Sequence, residues 1–333
     1  VAVLLFLMTM CAAPERRQIL IQGDTMGTTY SVKIITQKPV NQDELAEEIQ
    51  TVVDRLDHLM SNWKPDSDVS RFGEMEPTQT LQIAQETAEV IGVAKQVWEA
   101  SDGALDPTIS PLIELWGFGT RDRSSFPDPK AVAEKLTQTG LQNLSLDKLS
   151  LRKSLPGLTL NLGAIAKGYA LDQVAERLEA LGYTDYLVEI GRELRAKGHN
   201  LKGVPWRVAI EDPDPDSQTP ILKVVALDGK SIATSGDYRQ FFTYQGQVYS
   251  HIIDPRTGYP VQHGVTLASV IAPNCALADA WSTTLMILPP EVSIDIIEKR
   301  DDLECLLVLR EEDGRFSVVT SEGMGRFFIS LTP

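Results

Sequence analysis

Between Thr234 and Thr284 the chain strings three small polar clusters on apolar stretches: TSGDYRQFF, YSHIIDPRTGYPV and ALADAWSTT. Asp279 and Thr283 stand four apart on a predicted helix, so they share one face. A carboxylate and a hydroxyl are hard oxygen donors, suited to Mg2+ or Ca2+ rather than to zinc. Two oxygens do not complete such a site; water, phosphate and backbone carbonyls fill the rest of a shell of about six. The alternative is an ordinary solvated helix face, and spacing by itself does not separate the two.

Two further stretches carry candidate chemistry. In NLGAIAKG a strand ends at Asn161, a turn of small residues follows, and a helix begins near Lys167. Gly163, Ala164 and Ala166 let backbone groups approach a ligand closely, and Lys167 could meet an anion. The alternative is a tight strand-to-helix connection with its lysine in solvent. In QVYSHIIDP, alternation predicts Tyr249, His251 and Ile253 on one strand face. His251 precedes the turn DPRTG, and its ordinary pKa near neutrality suits a general base. His58 falls in a helical pattern and His199 in a turn, which makes them poorer candidates. The clusters around Met26, Trp63 and Trp116 read either as core or as flat surfaces for a planar ring.

These residues need a mixed scaffold to hold them. Two strands are predicted over 18–36 around GDTMGTT, and a helix over 42–60 with Leu45, Ile49, Val53, Leu56 and Met60 in one stripe. Asn41 and Glu44 form a capping box at its start. Further helices are predicted over 83–100, from Asp128-Pro129 to Gly140, over 167–181, from Ala276 and after Pro290. Strands or hairpins are predicted in 142–162, DYLVEI with ELRAKG, ECLLVLR and the segment after Asp313-Gly314. Helices and strands alternate without a clean break, which fits one composite α/β (α+β mixed) body with two α/β subdomains.

With 333 residues, 43% of them hydrophobic, the chain can bury a large core. Its 31 basic against 46 acidic residues give a net charge of −15, which repels nucleic acid and anionic membranes. A polyphosphate ligand would have to be held locally, by a cation, backbone N–H groups or a helix N-terminus. The opening run VAVLLFLMTMC is too short to span a bilayer and suits a signal-peptide core. Residues 1–13 are therefore read as a leader and 18–333 as the folded domain, with export expected. Cys11 is either the lipidated residue of a bacterial lipoprotein, tethered at the periplasmic face of the inner membrane, or an ordinary residue before a cut at Ala13. Cys275 and Cys305 read as buried free thiols in apolar, strand-like contexts.

Taken in order, GDTMGTTY, MSNWKPDSDVSRF, DGALDPTISPLIELWGFG, NLGAIAKGYALDQVAERL, LVEIGREL, TSGDYR, SHIIDPRTGYPV and ADAWSTT resemble the ApbE family, the FAD:protein FMN transferases. The resemblance runs from Gly23 to the C-terminus. It implies a T-fold-like body that takes FAD with Mg2+ and moves FMN onto a Thr or Ser hydroxyl of a partner protein, such as a redox-complex subunit, with loss of AMP. It implies metal ligation by Asp279, Thr283 and the carbonyl of Ala164. It implies flavin-nucleotide contacts at Met26, Trp63, Ala104, Leu105, Asp106, Asn161, Lys167 and Ile253, with His251 as the family histidine. The rival readings are FAD hydrolysis to FMN and AMP at the same site, and a passive flavin-binding lipoprotein. One departure stands out: Arg192 replaces the second glycine of a GGE pattern, and would be strained if that position needed a positive φ.

Overall fold

The computed structural model describes residues 15–118, 126–237, 241–244, 247–311 and 313–330. Cys11, Tyr238 and Arg239 lie outside these. Strands β1 (Arg17–Thr25) and β2 (Thr28–Thr36) form an antiparallel hairpin. Its two-residue turn puts Met26 (φ 48°) and Gly27 (φ 71°) both in the left-handed region, the geometry that matches strand twist. Helix α1 (Gln42–Met60) buries the predicted stripe, and Asn41 caps it by accepting from the Glu44 N–H. Next come α2 (Asp68–Glu74), β3 (Leu81–Gln82) and α3 (Gln85–Ala100), then α4 (Ser110–Leu115) and α5 (Pro129–Leu136). Helix α5 stops at Leu136, short of Gly140, which instead turns into a 3-10 segment. Strands β4 (Leu144–Asp147) and β5 (Ser150–Lys153) pair with each other, and β5 pairs on its other edge with β3.

Helix α6 (Ala166–Ala180) leads to the hairpin β6 (Tyr186–Ile190) and β7 (Glu193–Lys197). A second hairpin, β8 (Trp206–Glu211) and β9 (Ile221–Leu227), precedes β10 (Lys230–Gly236). After the short pairs β11 (Phe241–Tyr244) with β12 (Gln247–Ser250) and β13 (Ile253–Asp254) with β14 (Tyr259–Pro260), β15 runs Val265–Ala272. Helices α7 (Cys275–Ile287) and α8 (Pro290–Glu298), then β16 (Glu304–Arg310) and β17 (Phe316–Thr320), follow, and a 3-10 segment (Glu322–Phe327) ends the described elements.

Eight strands form one open sheet in the order β1-β2-β6-β7-β10-β15-β16-β17. One face carries α1, α6 and α7 over Val32, Ile34, Val188, Ala233 and Val270. The other face carries β8 and β9, whose Trp206, Val208 and Leu227 meet Ile35, Leu187, Ile232 and Ile271. Covered on both sides, β15 is buried at every residue, as a sandwiched strand must be.

The spacing of α6 and α7 is set by backbone. A Cβ added to Gly168 would lie 2.3 Å from the Cys275 carbonyl oxygen. The buried Asp172 carboxylate, also on α6, accepts from the Cys275 and Ala276 N–H groups at the start of α7 and from Arg195. It thereby satisfies donors that a helix N-terminus leaves open. Cys275 is thus a helix residue, not a strand residue, although both Cys275 and Cys305 are buried free thiols as expected. We expect Gly168→Ala to force the two helices apart and cost about 1–3 kcal/mol, read as a lowered denaturant midpoint with an unchanged slope.

Candidate active site

A cavity of about 540 Å3, within the range of roughly 300–1,000 Å3 usual for small-molecule sites, opens where the NLGAIAKG turn, the β6–β7 hairpin tip and the ends of β10 and α7 converge. It collects ten of the twelve residues singled out above: Ala104, Leu105, Asp106, Asn161, Ala164, Lys167, His251, Ile253, Asp279 and Thr283. The other two, Met26 and Trp63, line an adjoining hollow of about 410 Å3 that shares Gly163 and Lys167 with the cavity. Trp63 is 76% exposed at its rim, so its ring is open to stack on an entering group.

Asp279 is not on a solvated face. It is 2% exposed, on a helix buried nearly all round. Its Oδ2 accepts from the Gly168 N–H at 3.1 Å and lies 3.7 Å from Lys167 Nζ. Lys167 Nζ also stands 3.2 Å from Glu193 Oε1 and donates to the Gly163 carbonyl at 3.3 Å. Burial pushes the Asp279 carboxyl up to about 7; Lys167 opposes this, and Glu193 adds to it. Burial alone would lower the Lys167 ammonium, but Asp279 and Glu193 together hold it well above its ordinary value. Two enclosed carboxylates thus face one ammonium, a set with an unbalanced negative charge. Thr283 Oγ1 lies 3.3 Å from Ser235 Oγ, which also meets Ser282 Oγ at 2.9 Å. A buried carboxylate, a hydroxyl and the backbone of the Ala164 turn, all hard oxygen donors with charge to spare, fit a divalent cation such as Mg2+.

Glu193 and Ser235 complete this wall, and motif reading did not single them out. Glu193 follows a tight turn at the start of a strand, and loops and turns often carry functional residues, but its pairing with Lys167 is set by how α6 packs against the β6–β7 hairpin.

Other walls come from loops. Asn161 Oδ1 accepts from the Gly163 N–H, and its own N–H donates to the Pro107 carbonyl at 2.6 Å, which pins the two stretches together. Asp106 lines the cavity, yet Oδ1 accepts from Thr108 and Oδ2 from the Leu141 N–H, so both oxygens already shape the loop. His251 lies after the end of β12, in a bend, so the expected alternation from Tyr249 to Ile253 is broken there. Its ring meets Phe118 edge-to-face at 6.4 Å. Arg192 is not in the left-handed region; the residue that is, Gly191 (φ 65°), precedes it. The expected strain at Arg192 therefore does not arise, because the turn places its one positive φ on the remaining glycine.

At the end of β10 stands Asp237, whose carboxyl burial pushes up to about 6 against the pull of Arg310. Its folded value exceeds that of the unfolded chain, about 3.9. The stability it contributes is therefore present below about pH 4 and lost as pH rises through about 6. Asp237→Asn should melt higher than the wild type at neutral pH, with the gap shrinking as pH falls from about 7 to about 4. A gap that does not change with pH would refute this.

The chain is similar to known proteins along most of its length. The model of the ApbE family matches residues 26–307. The chain is 37% identical over 322 residues to the FAD:protein FMN transferase of Haemophilus influenzae, covering 94% of this chain and 93% of that one. It is 35% identical over 315 residues to the protein of that name from Escherichia coli K12, covering 93% and 89%. Among solved structures it is similar to the flavin transferase ApbE of Vibrio cholerae, with TM-score 0.86, 35% identity and coverage of 94% and 99%. It is also similar to the flavinyl transferase ApbE of Pseudomonas stutzeri, with TM-score 0.86, 36% identity and coverage of 94% and 98%.

Proposed function

The chain belongs to the ApbE family, and from that premise we propose that it is an enzyme that transfers FMN from FAD to a Thr or Ser hydroxyl of a partner protein and releases AMP. The observation that carries this reading is the convergence of Ala164, His251, Asp279 and Thr283, from three separate stretches of chain, on one cavity. The acceptor oxygen attacks the FMN phosphorus as the phosphorus–oxygen bond to the AMP phosphate breaks. One phosphoester forms, one phosphoanhydride is lost, and the hydroxyl proton must leave.

His251 takes that proton in this scheme, and the ring contact with Phe118 limits where its imidazole can turn. Lys167, held charged by its two carboxylate neighbours, presents a cation to the phosphates at the start of α6. Asn161 fixes the turn that brings the Ala164 backbone to the cavity. Asp279, Thr283 and the Ala164 carbonyl would hold Mg2+. When bound, that ion would neutralise charge gathering on the pyrophosphate oxygens. Ile253 and Leu105 supply apolar wall, while Met26 and Trp63 offer a surface for a planar ring.

Three outcomes separate the possibilities when the protein is mixed with FAD and Mg2+, with and without a Thr-bearing peptide. Covalent flavin on the peptide is the expected result. AMP and FMN produced regardless of acceptor would mean hydrolysis, and intact bound FAD would mean a carrier.

A further inference from the structure

On the sheet face opposite α6 and α7 lies a groove of about 270 Å3. Arg207, Val208, Ala209 and Glu211 of β8 line it, but no residue of β9 does. It therefore follows the edge of β8 that β9 leaves open; no other described strand pairs there. Lys33 of β2 and Glu189 of β6 contribute to its floor. Arg192 and Thr234 line both this groove and the catalytic cavity, so the two adjoin at the tip of the β6–β7 hairpin.

An open strand edge presents unpaired N–H and C=O groups, which an extended peptide can pair with as an added strand. The charge of the groove differs from that of the molecule. The protein as a whole carries −15. Here Arg192 is drawn to Glu211, with Nη2 3.4 Å from its carboxylate, whereas Lys33 and Arg207 make no ion pair with any described residue. Lys33 is half-buried in this state, which leaves a cation poised for an incoming carboxylate.

We propose that the acceptor polypeptide docks in this groove as an extended, net-acidic segment along the free edge of β8, and that its Thr or Ser passes Arg192 and Thr234 into the cavity. This rests on the transferase reading and adds where the acceptor lies and what charge it carries. At about 3.4 Å per residue, the six residues of β8 guide a segment of about 20 Å.

The test uses two peptides of about ten residues, each with one Thr among Gly and Ala, one carrying Asp residues and the other Lys. The wild-type protein should label the Asp peptide with kcat/KM about ten-fold above the Lys peptide. Lys33→Glu combined with Arg207→Glu should erase or invert that preference through KM, while FAD fluorescence quenching stays unchanged. The milder pair Lys33→Gln with Arg207→Gln should give an intermediate loss, which keeps the test usable if the reversal harms folding. Equal labelling of both peptides by the wild type, or a preference that survives in the variants, overturns the proposal. Bound FAD with neither peptide labelled also overturns it. Failure to bind FAD instead removes the transferase reading, and this inference with it. A wild-type dimer in solution that the variants dissolve would assign the groove to a second copy of the chain.

Discussion

Asp279→Asn is expected to lower Mg2+-dependent flavin transfer by about a thousand-fold, equivalent to about 4 kcal/mol of lost charge stabilisation. The substitution keeps the shape of a side chain buried against the Gly168 N–H and removes the formal charge. A neutral amide beside Lys167 and Glu193 leaves that pair intact and balanced, so the fold should persist. A second readout does not depend on turnover. Mg2+ should raise the melting temperature of the wild type, as any ligand of the native state does, and that shift should vanish in the variant. The carboxyl sits near pH 7 when metal-free, so protons compete with the ion, and the Mg2+ shift should grow as pH rises through about 7. Turnover that survives the substitution would remove Asp279 from the chemistry.

The second large effect concerns His251. His251→Ala should reduce transfer by roughly a hundred-fold to ten-thousand-fold, the usual worth of a positioned general base. FAD affinity, followed by flavin fluorescence, should stay within about two-fold, because a base acts in the transition state and not in ground-state binding. Added imidazole should restore part of the rate. An alanine variant at full speed would sink the assignment, whereas a variant that loses FAD binding in step with rate would recast His251 as a binding residue.

Much of the local architecture was readable without coordinates. The α1 stripe, its Asn41 cap and the hairpin around GDTMGTT follow from periodicity and turn chemistry, which act over a few residues. The burial of Asp279 was not readable from its spacing to Thr283, which a solvated helix shows equally well. It follows from where α7 packs, between α6 and the strands β10 and β15. The Lys167–Glu193 pair escapes sequence reading for the same reason, since it depends on how α6 packs against the β6–β7 hairpin. His251 was found by its residue type, but the geometry expected for it was wrong. An ideal strand was extended through a bend that local alternation does not reveal.

Gly168 carries a consequence for how this protein can change over generations. Because main chain touches main chain where α6 meets α7, the separation of Lys167 from Asp279 is not governed by the size of core side chains. Lineages can exchange leucine for methionine or valine across the surrounding interior without moving these two side chains apart. The tolerance of the interior to drift and the constancy of the chemistry then have one origin, a missing methyl group.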